Sequence, residues 1–393
     1  MENLQPNSLA ENLLQQALGQ HVSDMHIEPE ENAVRVRIRI DGLLEELCSL
    51  PLNQYSTLLT QLKVASGMDI AEKRVPQDSR LSLRYQNELI DVRLATLPTI
   101  RGEKMALRFL RREAGLLSLE NLAFSEHNLA CYRKLFSQPN GLVLLTGPTG
   151  SGKTTALYAT LSALNAKTKN IVTLEDPVEY QLADINQVAV NRKAGLDFAT
   201  GLRALVRQDP DVIMLGEIRD EETALMAVQA ALTGHLVLST LHTNDAVGAV
   251  YRLLDMGIPA YLLAACLRGV VAQRLVRRLC PHCGQRQQAD LAQLRYLGRN
   301  EGESLLVPQA AGCEVCRGTG YSGRLAVQEV LSLTKQLAQP LLERAGEARL
   351  LAQARQFGWR SLYADGVEKV LAAQTTLEEL WRAGITREEV YYV

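Results

Sequence analysis

The sequence predicts an α/β protein in which a small α+β region precedes a larger domain built on a parallel sheet. Three observations carry that expectation. Before residue 110, apolar residues alternate with charged ones, as in "AVRVRIRI", the pattern of strands with one face in water. After residue 120, short unbroken apolar runs are separated by stretches of helical period, the pattern of strands covered on both faces. Two Cys-x-x-Cys pairs, Cys280/Cys283 and Cys313/Cys316, then interrupt this pattern ahead of amphipathic helices.

The elements follow in order. "SLAENLLQQALGQ" puts Leu9, Leu13, Leu14 and Leu18 on one helical face, with Ser8 available as N-cap. In the next run Val34, Val36, Ile38 and Ile40 face a core and Arg35, Arg37 and Arg39 face outward, before a two-residue turn at Asp41-Gly42. A helix is expected over 52–66, then strands "RLSLRY" and "ELIDVRLAT" joined at Gln86-Asn87, and a last strand "KMALRFL". "LRREAGLLSLENLAF" reads as the connector. Beyond it, strands are expected at 142–146, 171–174, 212–215 and 235–241. The expected divisions are 1–112, a linker 113–119, an α/β core 120–270, a cysteine-bearing subdomain 271–325 and a helical subdomain 326–393.

Composition excludes some functions. The 393 residues allow two or three ordinary domains, with 47% apolar and 22% charged residues. A net charge of −2 argues for neither nucleic acid nor an acidic membrane as partner. The N-terminus lacks a basic start followed by an apolar core, so no secretory signal is expected. "IPAYLLAACLRGVVAQRLV" is interrupted by Arg268 and Arg274 and fails as a membrane span. A cytoplasmic location is therefore expected. Seven cysteines, four of them in tight pairs, suit a reducing compartment.

The chemistry begins at "GPTGSGKTT", Gly147, Pro148, Thr149, Gly150, Ser151, Gly152, Lys153, Thr154 and Thr155. The run completes the phosphate-loop pattern between an apolar strand and a helix, the context that pattern requires. Its glycines let successive N–H groups point at phosphate oxygens. Lys153 would reach the outer phosphates and Thr154 would offer its hydroxyl to Mg2+. Such a site also needs a carboxylate at a neighbouring strand end. "VIMLGE" supplies Glu217, where Gly216 stands in place of the more usual Asp; "TLEDP" supplies Glu175 and Asp176, with Pro177 stopping the strand. His242, past the end of the strand after His235, is placed to sense a terminal phosphate, whereas a lone histidine more often satisfies a backbone group. Arg93, Arg108, Arg203, Arg207 and Arg219 are candidates for positive charge at the transferred phosphoryl group, though composition alone does not select them.

"SDMHIEPE", "RVPQDSRLSL", "RLATLPTIRGEKMALR", "GPTGSGKTT", "LEDPVEY", "GLRALVRQDPDVIMLGEIRD" and "TGHLVLSTLHTND", in this order, closely resemble the secretion and pilus-assembly ATPases of the GspE/PilB type. The resemblance covers about residues 10–330. It implies a PAS-like N-terminal domain, a RecA-like ATPase domain and a homohexamer. ATP hydrolysis with Mg2+ would drive domain rotations, passed to an inner-membrane platform protein that adds pilin-like subunits to a filament. A membrane-anchored cytoplasmic adaptor would hold the motor at the inner face of the inner membrane. It also implies that Lys153 and Thr154 serve the phosphates and Mg2+, Glu217 is the Walker B-type acid, Glu175 polarises water and His242 belongs to the His box. The five arginines take the family's arginine positions, Arg93 and Arg108 completing the charge constellation on domain closure. The chain departs from the family at Ser79, where glycine is familiar, and at Met25. Members usually carry a further N-terminal domain that docks to the membrane machinery. This sequence starts almost at the PAS-like region, so either a shortened chain or a short member anchored differently is expected.

Two other classes compete. A DNA-directed RecA-like motor would suit the cysteines, but the charge is near neutral and aromatics are only 5%; the basic stretch "RGVVAQRLVRR" reads more simply as a helix face leading into the cysteines. A nucleotide-regulated scaffold would not need the acids and arginines. The cysteines themselves admit zinc or redox chemistry. Residues 284–312 separate the pairs, compatible with two knuckles closing on one metal. Four cysteines would fill every position of a tetrahedral Zn2+, making it structural, and no thioredoxin-like frame surrounds either pair. In the family, a tetracysteine insertion marks assembly ATPases and is generally absent from retraction ATPases.

Overall fold

The computed structural model describes residues 8–20, 22–86, 88–111, 118–165, 167–343 and 345–387. The expected turn residue Asn87 and residues 112–117 of the connector lie outside them. The chain forms two compact units, Met1–Glu113 and Ala114–Val393.

In the first unit, helix α1 (Leu9–Leu18) starts at Ser8, whose hydroxyl accepts the Glu11 N–H. Strands β1 (Asp24–Pro29), β2 (Ala33–Ile40) and β3 (Leu43–Pro51) lead to α2 (Leu52–Ser66). Strands β4 (Gln77–Tyr85), β5 (Glu88–Thr99) and β6 (Gly102–Arg111) complete the unit. All six strands form one antiparallel sheet in the order β3-β2-β1-β6-β5-β4. The expected alternation is realised: Val34, Val36, Ile38 and Ile40 join Met25, Ile27, Leu94 and Leu107 in a core with residues of α1 and α2. Asp41 and Gly42 take φ of 49° and 88°, the two left-handed residues of a tight hairpin turn. The Ser79 hydroxyl donates to the carbonyl of Ser66 at the end of α2, an orphan acceptor that a glycine could not satisfy. The other face is charged, because register sets Arg80, Arg93, Arg108, Asp24 and Arg39 side by side on five strands. Asp24 lies 3.0 Å from Arg108 and 3.7 Å from Arg39.

The second unit opens with α3 (Glu126–Phe136), β7 (Gly141–Thr146), α4 (Lys153–Leu164), β8 (Ile171–Glu175) and β9 (Asn186–Ala189). It continues through α5 (Phe198–Leu205), β10 (Val212–Leu215), α6 (Glu221–Leu232), β11 (Leu236–Leu241), α7 (Ala246–Asp255) and α8 (Ala260–Cys266). Strand β12 (Leu267–Leu279), β13 (Gln285–Gln288), α9 (Leu291–Tyr296), β14 (Leu306–Gln309) and β15 (Tyr321–Ser332) surround the cysteines. Helices α10 (Lys335–Leu342), α11 (Glu347–Gln356), α12 (Leu362–Leu371) and α13 (Leu377–Arg382) follow. The main sheet has the order β15-β12-β7-β11-β10-β8-β9, parallel throughout except for β12 against β15. Both faces are covered. Leu142, Leu144, Ile213, Leu215 and Val237 enter one core with α6 and α7, while Val143, Leu145, Val212, Met214 and Leu238 enter another with α3 and α4.

One expectation is corrected here. "RGVVAQRLVRR" is not a helix face but the body of β12, paired with β7 on one side and β15 on the other. Its β-branched Val270, Val271 and Val276 are buried and suit a pleated surface better than a helix. Strand β12 crosses the division expected at 270/271, and β15 crosses the one at 325/326, so both tie the cysteine region into the main sheet. Among the described residues, no helix is long and apolar enough to cross a membrane.

Candidate functional site

The end of β7 is where the sheet meets its candidate ligand. Thr146 pairs with Leu241 of β11 and Ala272 of β12. The chain then turns through Gly147–Gly152 into α4. Strand β12 runs on beside this turn, so a Cβ on Gly147 (φ 145°) would fall 2.3 Å from the Gln273 carbonyl oxygen. A Cβ on Gly152 (φ 87°) would fall 2.7 Å from Gln273 Nε2. These two glycines are therefore required by left-handed backbone and by close approach together. No side chain caps the start of α4, which leaves its first N–H groups to an incoming anion. Pro148, Thr149, Gly150 and Thr154 are exposed, Thr155 is half-buried and Ser151 is buried. Lys153 is buried and donates from Nζ to Gly147 O at 2.7 Å and Pro148 O at 3.1 Å. Burial pulls its pKa down to about 8, against the opposing charge of Glu217. The loop, the bare helix start and the lysine together fit a polyphosphate.

Glu217 follows β10, its side chain 16% exposed. Arg219 approaches it at 2.5 Å and His242 Nε2 at 3.5 Å. Burial first, then the Lys153 charge, lowers the His242 pKa, so the ring is neutral at pH 7. Lys153, Glu217, Arg219 and His242 are thus brought together. The β11 end is fixed to the β7 end by Thr146 Oγ1, which accepts the Thr243 N–H at 2.9 Å.

Glu175 ends β8 and is buried. Its carboxylate accepts from Tyr158 Oη on α4, from Thr173 Oγ1 at 2.5 Å and from Gln187 Nε2 at 3.1 Å. Burial and the adjacent carboxylate push the Tyr158 phenol well above its usual range, so it stays a donor. The two acids therefore occupy different surroundings, one beside cations and the other among neutral donors. Arg203 on α5 pairs with Glu222, and Arg207 donates to the Arg203 carbonyl at 2.6 Å, so neither joins the Glu217 cluster directly. Arg93 and Arg108 belong to the first unit and pair across β5 and β6. His235 Nδ1 lies 2.9 Å from the Ala230 carbonyl, a local backbone role.

The four cysteine sulfurs, Cys280, Cys283, Cys313 and Cys316, all lie within 4.8 Å of one another. Cys316 Sγ is 3.7 Å from both Cys283 and Cys313, close to the edge of about 3.8 Å expected of a tetrahedron with 2.3 Å Zn–S bonds. The N–H groups of Cys313 and Gly320 each reach Cys316 Sγ at 3.1 Å. Although burial opposes it, these donors hold the Cys316 thiol down at about 6. The donor set and spacing fit a closed metal site with four thiolate ligands.

A family model described as "Type II/IV secretion system protein" matches residues 3–382. Type II secretion system protein E of Pseudomonas aeruginosa is 46% identical over 377 residues, 96% of this chain and 74% of that protein. Type II secretion system ATPase E of Vibrio cholerae is 46% identical over 376 residues, with the same coverage of 96% and 74%. The chain belongs to the type II/IV secretion system protein family. It is a secretion-system ATPase. The solved pilus retraction motor PilT with bound ADP aligns over 98% of both chains with a TM-score of 0.63 at 23% identity. The ATPase DotB of Legionella pneumophila aligns over 97% of this chain and 100% of its own with a TM-score of 0.69 at 19% identity. These two likenesses establish the shared mixed α/β fold.

In this secretion ATPase, sequence reasoning missed the groups that support the site. Tyr158, Thr173 and Gln187 stand around Glu175, and Gln273 lies against the phosphate loop. Only Gln273 left a signal, as a lone amide inside the apolar run "GVVAQRLV". The partners of Glu175 come from three separate elements and carry no spacing pattern.

Proposed function

We propose that this chain is the Mg2+-dependent motor of a type II secretion machine, a homohexamer that hydrolyses ATP to assemble a pseudopilus and so drive export across the outer membrane. The observation that carries this reading is the convergence of Lys153, Glu217, Arg219 and His242 beside an intact phosphate loop, in a relative of type II secretion ATPases. The loop N–H groups and the start of α4 take the phosphates. Lys153 exchanges the carbonyls of Gly147 and Pro148 for the outer phosphate oxygens. Thr154 and Glu217 are the residues that would hold Mg2+, which would offset the phosphate charge. Arg219, now on Glu217, is placed to share its charge with the transferred phosphoryl group. Neutral His242 can donate to or accept from that group while Lys153 remains charged. Glu175 orients the attacking water once Tyr158 or Gln187 gives up one of its oxygens. Charge stabilisation is also the role proposed for Arg93, Arg108, Arg203 and Arg207.

Cys280, Cys283, Cys313 and Cys316 would hold a structural Zn2+, which would tie together the two knuckles between β12 and β15. The partners proposed are an inner-membrane platform protein and a membrane-anchored cytoplasmic adaptor, at the inner face of the inner membrane. The test is turnover of Mg·ATP by purified Lys153→Ala protein with an unchanged melting temperature. Loss of phosphate release to background is expected, and full turnover would sink the site. Stimulation by DNA, and not by the platform protein, would favour the DNA-directed alternative.

A further inference from the structure

Strand β12 does more than flank the phosphate loop. Gln273 is 2% exposed, and its Nε2 donates to the Ser151 carbonyl, inside the loop, at 2.7 Å. Its Oε1 accepts from Gln328 Nε2 of β15 at 3.3 Å. This amide has one workable orientation, because turning it over would set Oε1 against the Ser151 oxygen and Nε2 against another amide donor. Gln328, itself without exposure, also donates to Leu122 O at 3.0 Å, and its Oε1 lies 3.5 Å from Lys369 Nζ. Lys369 on α12 completes its donors at Asp365 Oδ2, 2.5 Å, and Ala326 O, 2.6 Å. Asp365 in turn accepts from the Gln328 N–H at 2.9 Å and from Asn128 Nδ2 at 3.2 Å. Both Lys369 and Asp365 are buried.

A chain of buried polar groups therefore runs from a C-terminal helix, through two sheet strands, to a backbone carbonyl of the phosphate loop. Burying an ion pair and two amides is unfavourable unless every member is bonded. An apolar filling would have served packing alone equally well. The loop, by contrast, needs the Ser151 carbonyl turned away from the ligand so that neighbouring N–H groups face it. We propose that Gln273 is a positioning residue for the phosphate loop, and that Gln328, Asp365 and Lys369 fix its amide so that the state of α12 sets nucleotide affinity. The inference rests on the nucleotide-site reading above.

The test is titration of the full chain with a fluorescent ADP analogue and Mg2+, alongside kcat and KM for ATP and thermal melting. Gln273→Met keeps the volume and removes the donor. It is expected to weaken ADP binding about tenfold and raise KM, with kcat changed less than about threefold, the signature of lost ground-state organisation. Asp365→Asn, some distance along the chain of bonds, is expected to weaken ADP binding in the same direction by about threefold to fivefold. Combined with Gln273→Met it should add nothing further, since both act through one amide. If Asp365→Asn does not fold, Gln273→Glu replaces it: this variant sets a carboxylate against the Ser151 carbonyl and should bind ADP more weakly than Gln273→Met. A purely structural role predicts lower melting temperatures with ADP affinity within about twofold of wild type, and that result overturns the proposal. Wild-type protein that binds no ADP, or Lys153→Ala protein that binds it normally, would instead overturn the nucleotide site.

Discussion

The sheets of the two units bury their strands differently, and the difference decides where charge can live. In the first unit one face of an antiparallel sheet is apolar and the other carries Arg80, Arg93, Arg108, Asp24 and Arg39 across neighbouring strands. In the second unit both faces of a mainly parallel sheet are covered, and β7, β10 and β11 are buried along their whole length. Ionisable groups there are confined mainly to strand ends and to fully bonded interior networks. Glu175, Glu217 and His242 stand at or just past the C-terminal ends of parallel strands, and Lys153 opens the helix that follows β7, at the edge where ligands of such sheets gather. A one-sided sheet spreads charge over a surface; a two-sided one concentrates it at an edge.

The comparison is sharpened most by Glu217→Gln. It removes charge from the edge without removing volume, and turnover should fall at least about 100-fold with little change in melting. A variant that melts early but turns over normally would break the contrast. Next in size is the metal. Chelation, or Cys283→Ser with Cys313→Ser, should destabilise the second unit by several kcal/mol. That is less than the roughly 10–16 kcal/mol of isolated zinc peptides, because β12 and β15 remain paired in the sheet. Calorimetry should find the first unit's transition unmoved, and a metal assay should find one zinc per chain.

The pH dependence of ADP binding is a smaller effect with a definite sign. The free Lys153 pKa is lowered to about 8, chiefly by burial, and phosphate favours the charged amine. Affinity should therefore be level below about pH 8 and fall above it by up to roughly tenfold per unit. Lys153→Met should flatten that slope, which titration between about pH 7 and 9.5 would reveal. The smallest stability effect is expected for Arg108→Ala in the first unit. Its partner Asp24 is 3.0 Å away, but the arginine is 62% exposed, so unfolding free energy should change by less than about 1 kcal/mol. Turnover should drop all the same, and unchanged turnover would remove Arg108 from the proposed machinery.

Legibility followed a different division, between local and long-range pattern. The hairpin at Asp41-Gly42, helix 52–66 and the strands around 142–146, 171–174, 212–215 and 235–241 were all readable because period and turn chemistry are local. The span 267–279 was not. "RGVVAQRLVRR" carries basic residues at several spacings, and nothing within it says that β7 lies on one side and β15 on the other. The same strand brings Gln273 to the phosphate loop, so misreading its structure and missing its role have one cause.

What the sequence determined by itself was the list of parts. A complete phosphate loop after an apolar strand, acids at two strand ends and two cysteine pairs are patterns of a few residues, and their chemistry follows from identity and spacing. The tertiary structure decided how those parts are paired. It set Arg219 and His242 on Glu217, enclosed Glu175 among Tyr158, Thr173 and Gln187, and drew four sulfurs from 280–316 within 4.8 Å of one another. Most of those pairings join residues from different elements, and spacing along the chain does not encode which strands and helices pack side by side.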